Sequence, residues 1–270
     1  MFEHRGGEAK KGDGEREARK RGSRIIGRVL PSAVRLWLRS QLEDVTQLDI
    51  RLEGRDREII AGRIPKVAIN AEGAVYRGLH IGSVSLSAED ICINIGQVMR
   101  GKQLKLIKGF PVFGEIALSA EDLTASTDSS LLLEGVTDFW RGLSQLPQLA
   151  KEIQARYGTL PLSPDVVLRD LAVALGEGYL GLSFYPQSRG EAGDQPIVIG
   201  AKLAVVSGRF LQLSSARWLS QLADLGKSDK GVPIQALEGF EWDLGADAQL
   251  SQLILHPDQL RCAGQIQVRP

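Results

Sequence analysis

From Leu48 onward the chain keeps returning to an apolar–polar alternation of period two, and that pattern limits the fold more than any other feature. Leu48, Ile50 and Leu52 alternate with Asp49, Arg51 and Glu53, and Gly54 marks a turn. Val67, Ile69 and Ala71 repeat the pattern, as do Leu79 and Ile81. Gly82 then shifts the phase to Val84 and Leu86, as a bulge would. Ile91, Ile93 and Ile95 alternate with Cys92 and Asn94, Leu104 and Leu106 follow, and Val112, Ile116 and Leu118 close the run. Further strands are predicted at Val166–Leu175, Tyr179–Phe184, Ile197–Val206, Leu250–Leu255 and Cys262–Val268. Short strands joined by close turns predict antiparallel pairing. The thirty glycines fit frequent turns and bulges better than long uninterrupted helices.

Helical spacing interrupts the strands in three places. Leu30, Val34, Trp37, Leu38, Leu42 and Val45 share one face, opposite Arg35, Arg39 and Glu43, with Pro31 in the first turn. An amphipathic helix of about four turns is expected there. A second helical stretch begins near Ser119 or Ala120 and continues with breaks to Leu149, with Phe139, Trp140, Leu143 and Leu146 at helical spacing. Ser214–Leu225 reads as a short helix carrying Trp218, Leu219, Leu222 and Leu225. The fold class is therefore α+β: curved antiparallel sheets packed on long amphipathic helices. The 24-residue Gly-, Glu-, Lys- and Arg-rich start is expected to be a disordered basic arm, followed by one domain over 25–270. That domain could divide into two sheet subdomains, about 25–155 and 156–270.

The 270 residues balance 33 basic against 33 acidic side chains, but unevenly. Residues 1–28 hold nine Lys/Arg and five Asp/Glu, leaving a mildly acidic body, which argues against nucleic acid as the body's partner. Cys92 and Cys262, without a CxxC or Cys/His cluster, fit buried free thiols better than a disulfide framework or zinc site. No run approaches the ~20 apolar residues a membrane span needs. The charged start is also too long for a signal peptide. A cytoplasmic protein, at most peripheral to a membrane, is the expectation.

Motifs that could carry chemistry fail in context. Gly176-Glu-Gly-Tyr-Leu-Gly181 matches GxGxxG, but Leu182, Phe184 and Pro186 continue as a strand where a dinucleotide site needs a helix, so a hairpin turn is expected. Gly226-Lys227-Ser228 lacks the first glycine of a phosphate loop, since Gln221 stands there. His4, His80 and His256 are scattered, and neither a GxSxG elbow nor an HExxH pair occurs. Acidic pairs such as Glu89-Asp90 and Glu121-Asp122 read as turn or helix-start residues. Ser85-Leu-Ser-Ala-Glu-Asp-Ile echoes Ala117-Leu-Ser-Ala-Glu-Asp-Leu, which fits either a duplication or two similar strand-end turns. The residues offer no case for an enzyme and imply no cofactor.

One charge pattern points to a ligand. No acidic residue lies between Ile91 and Gly114, where Arg100, Lys102, Lys105 and Lys108 mingle with Met99, Leu104, Leu106, Ile107 and Phe110. Cations beside apolar side chains can hold an anionic lipid headgroup while the apolar ones meet its acyl chain. A lysine-protected strand edge is the competing explanation. The first helix has the same ambiguity between docking on a sheet and lying in a membrane interface.

Val75-Tyr-Arg-Gly-Leu-His-Ile-Gly-Ser-Val-Ser-Leu86, Asp90-Ile-Cys-Ile-Asn-Ile-Gly96 and Phe110-Pro-Val-Phe-Gly-Glu-Ile-Ala-Leu-Ser-Ala-Glu-Asp-Leu123 together resemble the LmeA-like phospholipid-binding family. So do Leu237-Glu-Gly-Phe-Glu-Trp-Asp-Leu-Gly-Ala-Asp-Ala-Gln-Leu250 and Leu260-Arg-Cys-Ala-Gly-Gln-Ile-Gln-Val268. The resemblance covers about residues 30–270 and is closest to cyanobacterial members. It implies a curved antiparallel sheet wrapped on long helices around an apolar lipid groove, like the tubular lipid-binding proteins, and no catalytic residue. Thr124 stands where relatives often have Asn, and the export signal of many relatives is missing.

The resulting expectation is a non-catalytic phospholipid binder. Arg100, Lys102, Lys105 and Lys108 would meet the headgroup. Val34, Trp37, Leu38, Leu42 and Val45 would line the groove from the helix, and Ile91, Ile93, Ile95, Leu104 and Leu106 from the sheet. The alternative is an interaction or scaffold protein that binds another protein's helix or strand in the same groove. An unrecognised hydrolase is the third reading.

Overall fold

The computed structural model describes residues 35–36, 38–98, 100–103, 105–188 and 191–270. The basic arm, Val34, Trp37 and Leu104 lie outside the described residues.

Two open antiparallel sheets make up most of the molecule. The first contains β1 (Asp44–Glu53), β2 (Arg63–Tyr76), β3 (Leu79–Cys92), β4 (Phe110–Ser119), β12 (Ala248–His256) and β13 (Gln259–Val268), in the order β1-β2-β3-β4-β13-β12. The second is built on β5 (Val167–Leu175), β6 (Tyr179–Ser188), β8 (Ile197–Val206), β9 (Phe210–Trp218) and β10 (Val232–Pro233), in the order β10-β9-β8-β6-β5. Two short strands join its margins, β7 (Glu191–Ala192) on β6 and β11 (Glu241–Asp243) on β9. The sheets are not consecutive segments divided near residue 155, because the last two strands return to the first sheet. There β12 meets turns of the second sheet: the Gly178 amide donates to Leu255 O (3.0 Å) and the Leu250 amide to Gly208 O (2.6 Å).

The helices are fewer and shorter than the apolar spacing implies. The described short ones are α1 (Asp56–Ile60), α2 (Ile95–Val98) and α3 (Ala120–Ala125). Among the described residues only α4 (Ser130–Ser144) and α5 (Pro147–Tyr157) exceed two turns. Long helices inside a wrapped sheet are therefore not the architecture. The stretch after Ser119 forms α3, α4 and α5 as expected, and runs on to Tyr157. Residues 35, 36 and 38–41 are helical, but the helix does not reach Val45. Glu43 already donates its amide to Val75 O (2.8 Å) and Val45 pairs with Ala74, so the backbone has joined the sheet. Ser214–Leu225 is likewise no helix. Trp218 pairs with Ile199 at the end of β9, and only Leu222–Asp224 makes a 3-10 turn. Trp218 packs edge-on against Tyr157 at 5.6 Å, while Leu219, Leu222 and Leu225 fold back over Gly181 and Gly200 of the second sheet, so the apolar spacing serves loop packing and not a continuous helix.

The core sits between α4, α5 and the second sheet. Trp140, Leu143, Leu149, Ile153 and Phe184 are fully buried there. Trp140 meets Phe184 edge-on at 5.0 Å, and its indole N–H donates to Pro161 O at 2.9 Å, satisfying its polar atom inside an apolar core.

One face of the first sheet is apolar from edge to edge. Cross-strand neighbours form the row Ala248, Ile266, Val112, Ala88, Val67 and Leu52. A parallel row runs through Leu253, Cys262, Ile116, Val84, Ala71 and Leu48. The phase shift expected at Gly82 is present, since Ile81 and Val84 pack on the same cluster. It leaves the register intact, with Glu72 opposite Ser83 and Ala74 opposite Ile81, because β2 makes a matching change at Gly73 (φ +57°). A one-sided bulge would have moved the pairing by a residue.

The sequence echo resolves into two different structures. At Ser119 it begins α3: the Asp122 amide donates to Ser119 Oγ (3.0 Å) and the Ser119 amide to Asp122 Oδ2 (2.8 Å), a capping box. Gly82 makes room for that carboxylate, since a Cβ there would lie 2.7 Å from Asp122 Oδ2. The earlier copy stays in β3, where Ala88 and Glu89 are already paired with Val67 and Lys66. Within it Asp90 takes a left-handed φ of +53°, and beyond it Ile95 starts α2 instead of extending a strand.

Candidate functional site

The apolar face of the first sheet leads into a cavity of about 440 Å3. Its floor comes from Val67 and Ile69 of β2, Leu86 and Ala88 of β3, and Phe110 and Val112 of β4, of which alternation selects Val67, Ile69, Leu86 and Val112. Leu38, from the helical segment before β1, forms another wall. The last wall is Ile93 and Leu106, which form an isolated antiparallel bridge at the neck of the loop 94–109. Of the expected groove residues, Leu38, Ile91, Ile93 and Leu106 line this cavity, and Ile95 is buried in the same cluster. Leu42 and Val45 instead pack in the adjoining cluster with Ala71 and Ala74. Val67, Ile69, Leu86, Val112 and Val268 were legible as strand positions but not as lining, because a lining residue and a core residue share one period.

The loop that closes the cavity carries all four basic residues of interest. Asn94 holds its shape: the side-chain amide donates to Gln103 O (3.0 Å), and the side-chain oxygen accepts from the Lys105 amide (2.7 Å). The Ile107 amide donates to Cys92 O (2.9 Å). Arg100, Lys102, Lys105 and Lys108 are exposed and make no ion pair among the described residues. Between Lys105 and Lys108, Ile107 is 64% exposed, an apolar side chain held out among unpaired cations. That geometry suits contact with an interface that is anionic outside and apolar within.

The second cavity, about 370 Å3, was not anticipated. It lies between α4 and the second sheet, with Leu132, Val136 and Phe139 above and Leu182, Ile199 and Leu213 below. Trp242 of β11 and Leu244 wall one side, and no charged or hydrogen-bonding side chain other than the Trp242 indole lines it. Phe139 meets Trp242 edge-on at 5.1 Å, and Trp242 packs so closely on Gly142 that a Cβ there would fall 2.3 Å from its ring. Arg209 anchors this wall by donating to both Asp243 oxygens, at 2.7 and 2.6 Å. With the Gly245 amide, that bond holds the Asp243 carboxyl down at about 2. The i, i+4, i+7 spacing of Leu132, Val136 and Phe139 marks an apolar helix face, but a face does not announce whether it will be filled.

The other chemical motifs take structural places. Gly176–Gly181 forms the β5–β6 hairpin, with Gly178 at φ +75° where a left-handed residue is needed. Gly226-Lys227-Ser228 sits in the loop after β9. Cys92 and Cys262 are both free and only half-buried. Burial pushes the Cys262 thiol up, consistent with its place in the middle of the apolar face.

An open two-sheet β protein with apolar cavities, one of them bordered by the neck of a basic loop, has the build of an amphiphile-binding protein. The LmeA-like phospholipid-binding family model matches residues 21–265, most of the chain, and the chain belongs to that family. Membership places it among phospholipid-binding proteins. No curated protein and no solved structure matches it. Among the described residues no helix is long and apolar enough to cross a membrane.

Proposed function

We propose that the chain binds phospholipid without catalysis, burying an acyl chain in the first-sheet cavity and holding the headgroup with Arg100, Lys102, Lys105 and Lys108. The observation that carries this reading is the continuity between the cavity wall at Ile93 and Leu106 and the basic loop they close. A volume near 440 Å3 falls within the range of small-molecule sites, ~300–1,000 Å3. Each methylene buried contributes about 0.8 kcal/mol, so even part of an acyl chain is held appreciably. Ile107 and the four cations would bring the loop against an anionic membrane surface, making the protein peripheral to a bilayer while it loads or releases its ligand.

Lipid extraction and mass spectrometry of the purified protein test this directly. Phospholipid at a near-stoichiometric level is expected. A protein free of lipid that also fails to sediment with phosphatidylglycerol vesicles would contradict the reading, and would favour a peptide segment as the occupant.

A further inference from the structure

Two walls of the second cavity belong to the first sheet. Leu79 opens β3 and Leu260 stands near the start of β13, and both line the space beneath α4. Leu260 is paired with Leu118, and Leu79 lies two residues before Ile81 of the apolar face. The floor of the first cavity therefore continues, through Val84 and Ile116, to the edge of the second. Leu79 and Leu86, which line the second and the first cavity, are seven residues apart in β3, or roughly 23 Å of extended strand. The basic loop follows the far end of β3, so a headgroup held there is farther still from the second cavity.

The second cavity also differs in chemistry. Apart from the Trp242 indole N–H it offers no side chain that could hold a headgroup or order a water molecule, and apolar space of this kind favours an apolar occupant. Gly135 of α4 borders it, and a Cβ added there meets nothing within 4 Å. An exposed glycine inside a helix is unfavourable to that helix, yet here it leaves open space beside the cavity.

We infer that the cavity beneath α4 is a second alkyl-chain site, headgroup-free and distinct from the basic-loop site, so that the protein carries chains at both ends of one apolar floor. This inference rests on the phospholipid reading of the first cavity. Its occupant is a single uncharged alkyl chain, and its affinity is independent of salt because no charge takes part.

Two probes separate the sites in the full chain. Hexadecanol added after the first cavity is saturated with phosphatidylglycerol reports the second cavity, and phosphatidylglycerol alone reports the first, each followed by native mass spectrometry and titration. Gly135→Leu fills the second cavity from the helix, and Leu203→Trp fills it from β8. Each should weaken hexadecanol binding at least tenfold and leave phosphatidylglycerol binding unchanged, with the thermal transition recorded to confirm folding. Ala88→Leu, in the first cavity, should do the reverse. Hexadecanol binding that survives both filling variants, or that falls equally with Ala88→Leu, overturns the second site and leaves the first standing. Failure of phosphatidylglycerol to bind the unaltered chain overturns the phospholipid reading itself.

Discussion

The two sheets bury apolar surface in different ways. The second is capped by α4 and α5 and is solid around Trp140, Phe184, Leu143, Leu149 and Ile153, which have essentially no solvent exposure. The first presents rows of Val, Leu, Ile and Ala of which many, including Leu86, Val84, Val112 and Ile116, are only half-buried. Among the described residues little of the chain lies above this apolar face, which is poorly accounted for as a core. On the proposed reading the first face supplies surface for a ligand, while the second sheet packs a solid core around Trp140 and leaves the cavity beneath Val136 and Phe139 beside it.

The largest effect should come from breaking the solid region. Trp140→Ala removes a fully buried indole, its contact with Phe184 and its hydrogen bond to Pro161. A loss of about 3–5 kcal/mol is expected in denaturant unfolding. Removing the charges of Arg100, Lys102, Lys105 and Lys108 together should do the opposite. Sedimentation with phosphatidylglycerol vesicles should weaken by up to about 1 kcal/mol per charge, more at low salt than at high, while the unfolding midpoint stays nearly constant. A smaller effect is expected where the second sheet meets its cavity. Gly142→Ala drives a methyl into the Trp242 ring and should cost about 1–3 kcal/mol unless the indole moves; the emission of Trp242 would report that movement.

The smallest effect concerns the exposed Arg209–Asp243 pair that fastens β11. The folded carboxyl sits at about 2, below its ordinary 3.8, because Arg209 and the Gly245 amide bond to its ionised form. Its contribution is therefore complete above about pH 4 and is lost as the pH falls through about 2. The thermal midpoints of the unaltered chain and Asp243→Asn should differ modestly at neutral pH and converge in acid.

Much of the first sheet is legible from the chain itself. Alternation selects Val67, Ile69, Leu86 and Val112 for one face, and the structure puts them on the floor of one cavity. The acid-free basic segment likewise reads as a possible headgroup site, and it closes that cavity. What escapes is whatever depends on partners distant in sequence. Val45 has helical spacing but its backbone pairs with Ala74, and Trp218 has helical spacing but pairs with Ile199 while Leu222 and Leu225 pack on Gly181. The second cavity is invisible for the same reason, since Val136 and Trp140 share the α4 apolar stripe while one lines a space and the other fills a core.

The most direct test of the central claim uses Ala88, on the cavity floor between Val67 and Val112. The quantity to measure is phospholipid per protein, extracted from the purified unaltered chain and from Ala88→Leu, with both shown to unfold cooperatively. The account predicts near-stoichiometric phospholipid in the unaltered chain and a several-fold loss in the variant. Equal phospholipid in the two proteins would contradict it.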